Sequence, residues 1–308
     1  MKTQELINRI NELKKEKNAV ILAHYYTDPV IQDLSDYLGD SLGLARQAGE
    51  TNADIIVFCG VHFMAETAAI ISPEKKVLIP AQKAGCSLAE SISGADIRKW
   101  REQNPEGLVV SYVNTTADVK AETDYCCTSS NALKIVEALP ADKKILFTPD
   151  KNLGAYINKV TGRGMELWSG DCCVHERITT EMIMEMHQQY PEADILIHPE
   201  SNCSGDDRVL EMDQAYFYST AGIIKHAKES EKKQFIIATE LGTIHKLQQD
   251  NPDKEFILIH PKTICGSMKK VTLQGLHDAL LHEQFEVKLP QDIVEKAQLP
   301  IQRMLEIG

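Results

Sequence analysis

The chain has 308 residues, 43% of them apolar and 25% charged, with 33 basic against 45 acidic side chains and a formal net charge of −12. That length exceeds one ordinary core and predicts two or three packed units of a globular protein. The acidic excess argues against a nonspecific nucleic-acid binder, which needs a basic face for phosphate, and no run approaches the ~18 apolar residues of a membrane span.

In chain order, "MKTQELINRINELKKEK" predicts a charged amphipathic helix, without the apolar stretch and small-residue cleavage site of a secretory signal, so the expected location is cytoplasmic. In that compartment the eight cysteines are expected as reduced thiols, which favours metal binding or catalysis over a disulfide scaffold. The runs "AVILAHYY", "DIIVFCG", "KVLIPA", "GLVVSYVN", "KILFTPD", "ADILIHPE", "QFIIATE" and "EFILIHP" then read as buried strands separated by segments of helical period. This is the pattern of α/β units built on parallel sheets, in which ligands collect at the carboxyl ends of the strands.

Laid over one another, these runs repeat with a period of about ninety residues. A first strand ends at His24, Tyr25 and Tyr26, then at Tyr112 and Asn114, then at His198 and Glu200; His24 to Tyr112 is 88 residues and Tyr112 to His198 is 86. A helix opening on hydroxyls follows in each unit, at Ser41, at Ser129 and at the Ser219/Thr220 pair. A later strand in each unit runs into a cysteine: Cys86, then Cys172 or Cys173, then Cys265. The expected fold class is α/β, three similar parallel-sheet domains related by pseudo-threefold symmetry around a central cluster. The units span 1–86, 87–172 and 173–265, with 266–308 packing back on the first.

Three cysteines drawn together from distant positions suit a metal centre with one open coordination position. Zinc with three protein ligands and a water, or a [4Fe-4S] cluster with one iron free to act as a Lewis acid, would both answer that description. An electron carrier would instead show tight runs with two residues between cysteines. Helix N-termini at Ser41, Ser129 and Thr220 offer unpaired N–H groups and partial positive charge to carboxylate or phosphate. His24, Tyr26, Tyr112, His198 and Glu200 form a proton-exchanging set, and Pro199 makes a regular strand through "HPE" unlikely. The repeat leaves Cys172 and Cys173 equally eligible.

The motifs "AHYY", "GDSL", "AGCS", "SYVNTTA", "CTSSNA", "GxCxxH" (Gly170, Cys172, His175), "HPE", "STAG" and "TICGSMK" together resemble the quinolinate synthase family over about residues 20–275. The resemblance implies a transferase of de novo NAD biosynthesis that condenses iminoaspartate with dihydroxyacetone phosphate to give quinolinate, phosphate and water. It also implies a functional link to an aspartate-oxidising enzyme that supplies the imine, and three α/β domains set in a triangle. By motif position it implies a [4Fe-4S] cluster on Cys86, Cys172 and Cys265. Substrate contacts carry over to His24, Ser41, Tyr112, Asn114, Ser129, His198, Glu200 and Thr220, with Tyr26 and Glu200 as the acid/base pair beside Tyr112 and His198. The family pattern puts the ligand three residues before the histidine, which selects Cys172. Side chains alternate in an extended segment, so Cys173 is expected to turn away and serve packing. Many relatives carry "CxxC" at the last ligand, whereas here Gly266, Ser267 and Met268 follow Cys265. Cys59, Cys126, Cys127 and Cys203 are given no role at the cluster.

Overall fold

A computed structural model describes residues 3–307; Met1, Lys2 and Gly308, at the ends of the expected first unit and C-terminal segment, lie outside the described residues. Among the described residues, twelve strands form three separate sheets. The first holds β1 (Ala19–His24), β2 (Tyr37–Gly39), β3 (Ile55–Cys59) and β4 (Lys76–Leu78); the second, β5 (Leu108–Tyr112), β6 (Tyr125–Cys127), β7 (Ile145–Thr148) and β8 (Glu166–Leu167). The third holds β9 (Asp194–Ile197), β10 (Ala215–Phe217), β11 (Gln234–Ala238) and β12 (Glu255–Leu258). Their orders are β2-β1-β3-β4, β6-β5-β7-β8 and β10-β9-β11-β12, with every pairing between these strands parallel. The protein is thus an α/β fold of three similar parallel-sheet units.

The central strands are continuous apolar runs because both sheet faces are covered. Along β1 and β3, Leu22 and Phe58 face a core shared by all three units, which also receives Val110, Phe147, Leu196 and Phe235. Their neighbours Ile21 and Val57 face an outer layer with Ile10, Leu13, Leu276 and Leu280. The other two sheets have smaller outer clusters around Val109 and Trp100, and around Ile195 and Ile236.

Three short strands were not anticipated: β2, β6 and β10, three residues each. Each lies at a sheet edge, where so few residues show no alternation. Their place matters, because each delivers the chain directly to a hydroxyl position of the site. The segment after Cys265 divides between units. Helix Leu273–His282 packs on helix Thr3–Glu16, residues 285–287 hydrogen-bond to the β4 edge, and helix Gln291–Ile307 lies against β6, helix Ala117–Lys120 and helix His62–Ile71. Among the described residues, no helix is long and apolar enough to cross a membrane.

Candidate active site

The carboxyl ends of β1, β5 and β9 converge on one cavity between the three units. His24 ends β1 and Tyr112 ends β5, whereas β9 stops at Ile197 and the His198-Pro199-Glu200 segment leaves the sheet as a turn. Proline has no N–H for a ladder, so strand alternation ends there. His198 and Glu200 therefore both reach the cavity, together with His24, Tyr26, Tyr112 and Asn114.

The hydroxyl positions line the same cavity, with an adjustment. Asp40 and Ser219 are the N-caps, accepting from Gly43 N at 3.1 Å and Gly222 N at 3.3 Å, so Ser41 and Thr220 are the first helical residues. Ser129 belongs to a turn two residues ahead of Asn131, which stands at the N-cap of the seven-residue helix Ala132–Ala138. Ser129 is thus not at a helix end, and its hydroxyl lies 3.4 Å from His198 Nε2. Next to it, Ser130 Oγ donates to Ser219 Oγ at 2.8 Å and lies 3.3 Å from Asp40 Oδ2, so these three positions of the repeat meet one another.

Cys86, Cys172 and Cys265 open three loops of the same local form. Each cysteine precedes two turn residues and a single 3-10 turn, at Ala89–Ser91, His175–Arg177 and Met268–Lys270, and each carbonyl accepts from the amide four residues on. Each thiol also accepts from the backbone N–H groups two and three residues ahead. Amides aimed at sulfur stabilise thiolate, which is the form a metal takes up. Burial nevertheless pushes Cys86 to about 12, Cys172 well up and Cys265 up, and neighbouring thiols and the carboxylates of Glu200 or Glu240 add like charge. Only a cation among them would reverse that balance, and the donor set fits one.

The shared frame is built on Cys172, not Cys173. Contrary to expectation, Cys173 is neither buried nor turned away: it is exposed, lines the cavity and is a neighbour of Cys265. The segment is a turn, to which strand alternation does not apply. Cys59, Cys126, Cys127 and Cys203 are buried in the cores with their thiol pKa values raised by desolvation.

A buried hydrogen-bond chain joins the catalytic candidates. Tyr26 Oη lies 2.9 Å from both Thr220 Oγ1 and Thr239 Oγ1, and Thr239 Oγ1 is 2.9 Å from His175 Nε2. His175 Nδ1 donates to Glu200 Oε2 at 2.8 Å and lies 3.3 Å from Cys172 Sγ. Asn114 Nδ2 donates to Glu200 Oε1 at 3.2 Å, and Tyr112 hydrogen-bonds the same carboxylate. Burial alone would raise Glu200, but His198, His175 and Tyr112 outweigh it and bring the carboxyl to about 2. Burial lowers His24 to about 4 and His198 to about 3, and holds Tyr26 and Tyr112 well above the ordinary phenol value. At neutral pH Glu200 is therefore a carboxylate, His24 and His198 are neutral imidazoles, and Tyr26 and Tyr112 are phenols. None of the side chains lining the cavity is lysine or arginine.

Every residue assigned a ligand, substrate or proton-transfer role from the sequence lines this cavity. From the sequence His175 stands out only as part of a motif, and Thr239 and Asp40 do not stand out at all. The histidine three residues after the cysteine was the available signal; a buried threonine just past the end of β11 gives none. Among the described residues, Cys172, His175 and Glu200 form a group whose ligand atoms lie within 4.8 Å of one another, while the three cysteines together do not.

Fold and site define a class: a three-unit α/β protein with a central cavity combining thiols, a buried carboxylate–imidazole pair and phenols, and thus the equipment of an enzyme. The profile of the quinolinate synthetase A protein (NadA) family matches residues 8–306. Quinolinate synthase from Pyrobaculum aerophilum is 50% identical over 307 residues, covering 98% of this chain and 100% of the relative. A quinolinate synthase from Thermus thermophilus is 44% identical over 308 residues, covering 100% and 99%, and that from Synechocystis 46% over 310, covering 99% and 96%. The chain belongs to the quinolinate synthase family.

Proposed function

We propose that this cavity condenses iminoaspartate with dihydroxyacetone phosphate, releasing phosphate and water and forming quinolinate, in cytoplasmic NAD biosynthesis. Cys86, Cys172 and Cys265 would hold a [4Fe-4S] cluster, which when bound supplies a Lewis-acidic iron for an oxygen of the reacting molecule. The observation that carries this reading is the shared frame of the three cysteine loops, opening on the cavity lined by Tyr26, His175 and Glu200, the first two linked through the buried Thr239.

Glu200, ionised at neutral pH, is the group able to take a proton, with His175 Nδ1–H and Asn114 Nδ2 fixing its two oxygens. Tyr26, kept protonated by burial, is the matching donor. His24 and His198, both neutral, together with Ser41, Ser129, Thr220, Tyr112 and Asn114, would bind carboxylate and phosphate oxygens through neutral donors. Substrate anions then meet no fixed salt bridge that product would have to break. The imine would come from an aspartate-oxidising partner.

The decisive experiment supplies anaerobic protein, reconstituted with iron and sulfide, with dihydroxyacetone phosphate and freshly generated iminoaspartate. Quinolinate should accumulate; brown protein that consumes neither compound but dehydrates another hydroxy acid would overturn the assignment of substrate.

A further inference from the structure

We propose that Lys120 is a positioning residue of this site, the buried cation that clamps the strap carrying Asn114 against Glu200; this rests on the reading of the cavity given above. Lys120 ends helix Ala117–Lys120 and is fully buried. Its Nζ donates to the Val113 carbonyl at 2.9 Å and to that of Thr115, the carbonyls on either side of Asn114. The ammonium also lies over the Phe63 ring, 5.5 Å from its centroid. Phe63, Tyr112 and Asn114 all line the cavity, so the charge stands one layer behind its wall.

No carboxylate among the described residues comes within 4.0 Å of this ammonium. The nearby Glu66 is occupied by the Ala117 amide at 2.9 Å and by His62 at 3.3 Å. A buried cation without an ion pair is costly, and methionine would fill the same space without that cost. What the lysine adds is two hydrogen bonds that fold residues 113–115 around one point. They fix Asn114 with Nδ2 on Glu200 and leave its buried Oδ1 without a partner in the protein, free for a donor on a ligand.

The test places Lys120→Met and Lys120→Gln in the native and Asn114→Ala backgrounds, with quinolinate formation measured anaerobically per bound cluster. Displacing an aligned group by an ångström costs roughly 100-fold. Lys120→Met should lower kcat by about that factor with little change in KM, and Lys120→Gln, which keeps two donors, should lose less. In the Asn114→Ala background neither should cost more than about 2-fold, because the two residues act through one contact. Equal losses in both backgrounds would overturn the inference. Amide exchange adds a readout independent of turnover: Val113 and Thr115 in the native protein should be as protected as β5. Free exchange there would also overturn the clamp, whether or not the variants fold. Absence of quinolinate from the native protein would instead sink the proposed function and leave the exchange result standing.

Discussion

At the residue scale, two adjacent cysteines part company because of backbone geometry. Cys172 lies where two amides reach its sulfur, as at Cys86 and Cys265, while Cys173 is one step into the turn. Cys172→Ser should therefore abolish the visible absorption of reconstituted protein and its quinolinate formation, and Cys173→Ser should spare both; a spectrum and a product assay decide. Glu200 and His175 form the buried pair on which proton transfer is proposed to turn. Glu200→Gln should lower kcat by ~10²–10⁴ with cluster content unchanged, the range of a lost general base. Thr239→Val, which interrupts the link from Tyr26 to His175, should lower it less. His24, Tyr26, Tyr112, His198 and Glu200 were legible as a set because strand ends recur at a fixed period. Thr239 was not, because its role lies in bridging two groups, Tyr26 and His175, that come from different units.

At the scale of elements, the long central strands announced themselves and the edge strands did not. A five-residue run such as "IIVFC" is buried on both faces and composed accordingly, whereas "YLG", "YCC" and "AYF" are too short for a pattern. Those edges nevertheless lead straight into Asp40, Thr128 and Ser219. Asp40→Ala, removing a cap, should cost about 1 kcal/mol, lowering Tm by a few degrees in a thermal melt. Helix Leu273–His282 ends at Glu283, whose carboxylate is paired with Lys17 and Lys76 and held at about 2. The group is partly exposed, so solvent screening leaves it worth about 1 kcal/mol or less. Its folded pKa lies below its unfolded value, so this stability is present above the ordinary glutamate range, near 4.3, and is lost as pH falls toward 2. Glu283→Gln should therefore lower Tm at pH 7, and the gap to the native protein should close in acid.

At the scale of the molecule, the three units are bound by ties concentrated near the site. Gln32 Nε2 donates to the Gly242 carbonyl at 3.0 Å, Glu66 accepts from Ala117 N, and Asn152 Nδ2 donates to the Glu200 carbonyl at 3.0 Å. Gly170, two residues before Cys172, allows the second cysteine loop to close on the first: a Cβ there would lie 2.5 Å from Ser91 Oγ and 2.6 Å from the Pro149 carbonyl. A cluster bound by one cysteine of each unit would join all three. Removing iron with a chelator under anaerobic conditions should thus lower Tm and broaden the transition, because a ligand held only by the folded state contributes to its stability. An unchanged melt would argue that the units hold together without it.

Taken alone, the sequence determined the α/β class, the threefold repetition and which residues stand at strand ends, because burial on both faces and a fixed period leave their mark in composition and spacing. Only the tertiary structure decided that Cys172 shares its frame with Cys86 and Cys265, that Ser129 belongs to a turn and not a helix end, and that Thr239 joins Tyr26 to His175. Those facts depend on where backbone amides point and on which groups from different units meet, and such relations exist only after the chain has closed on itself.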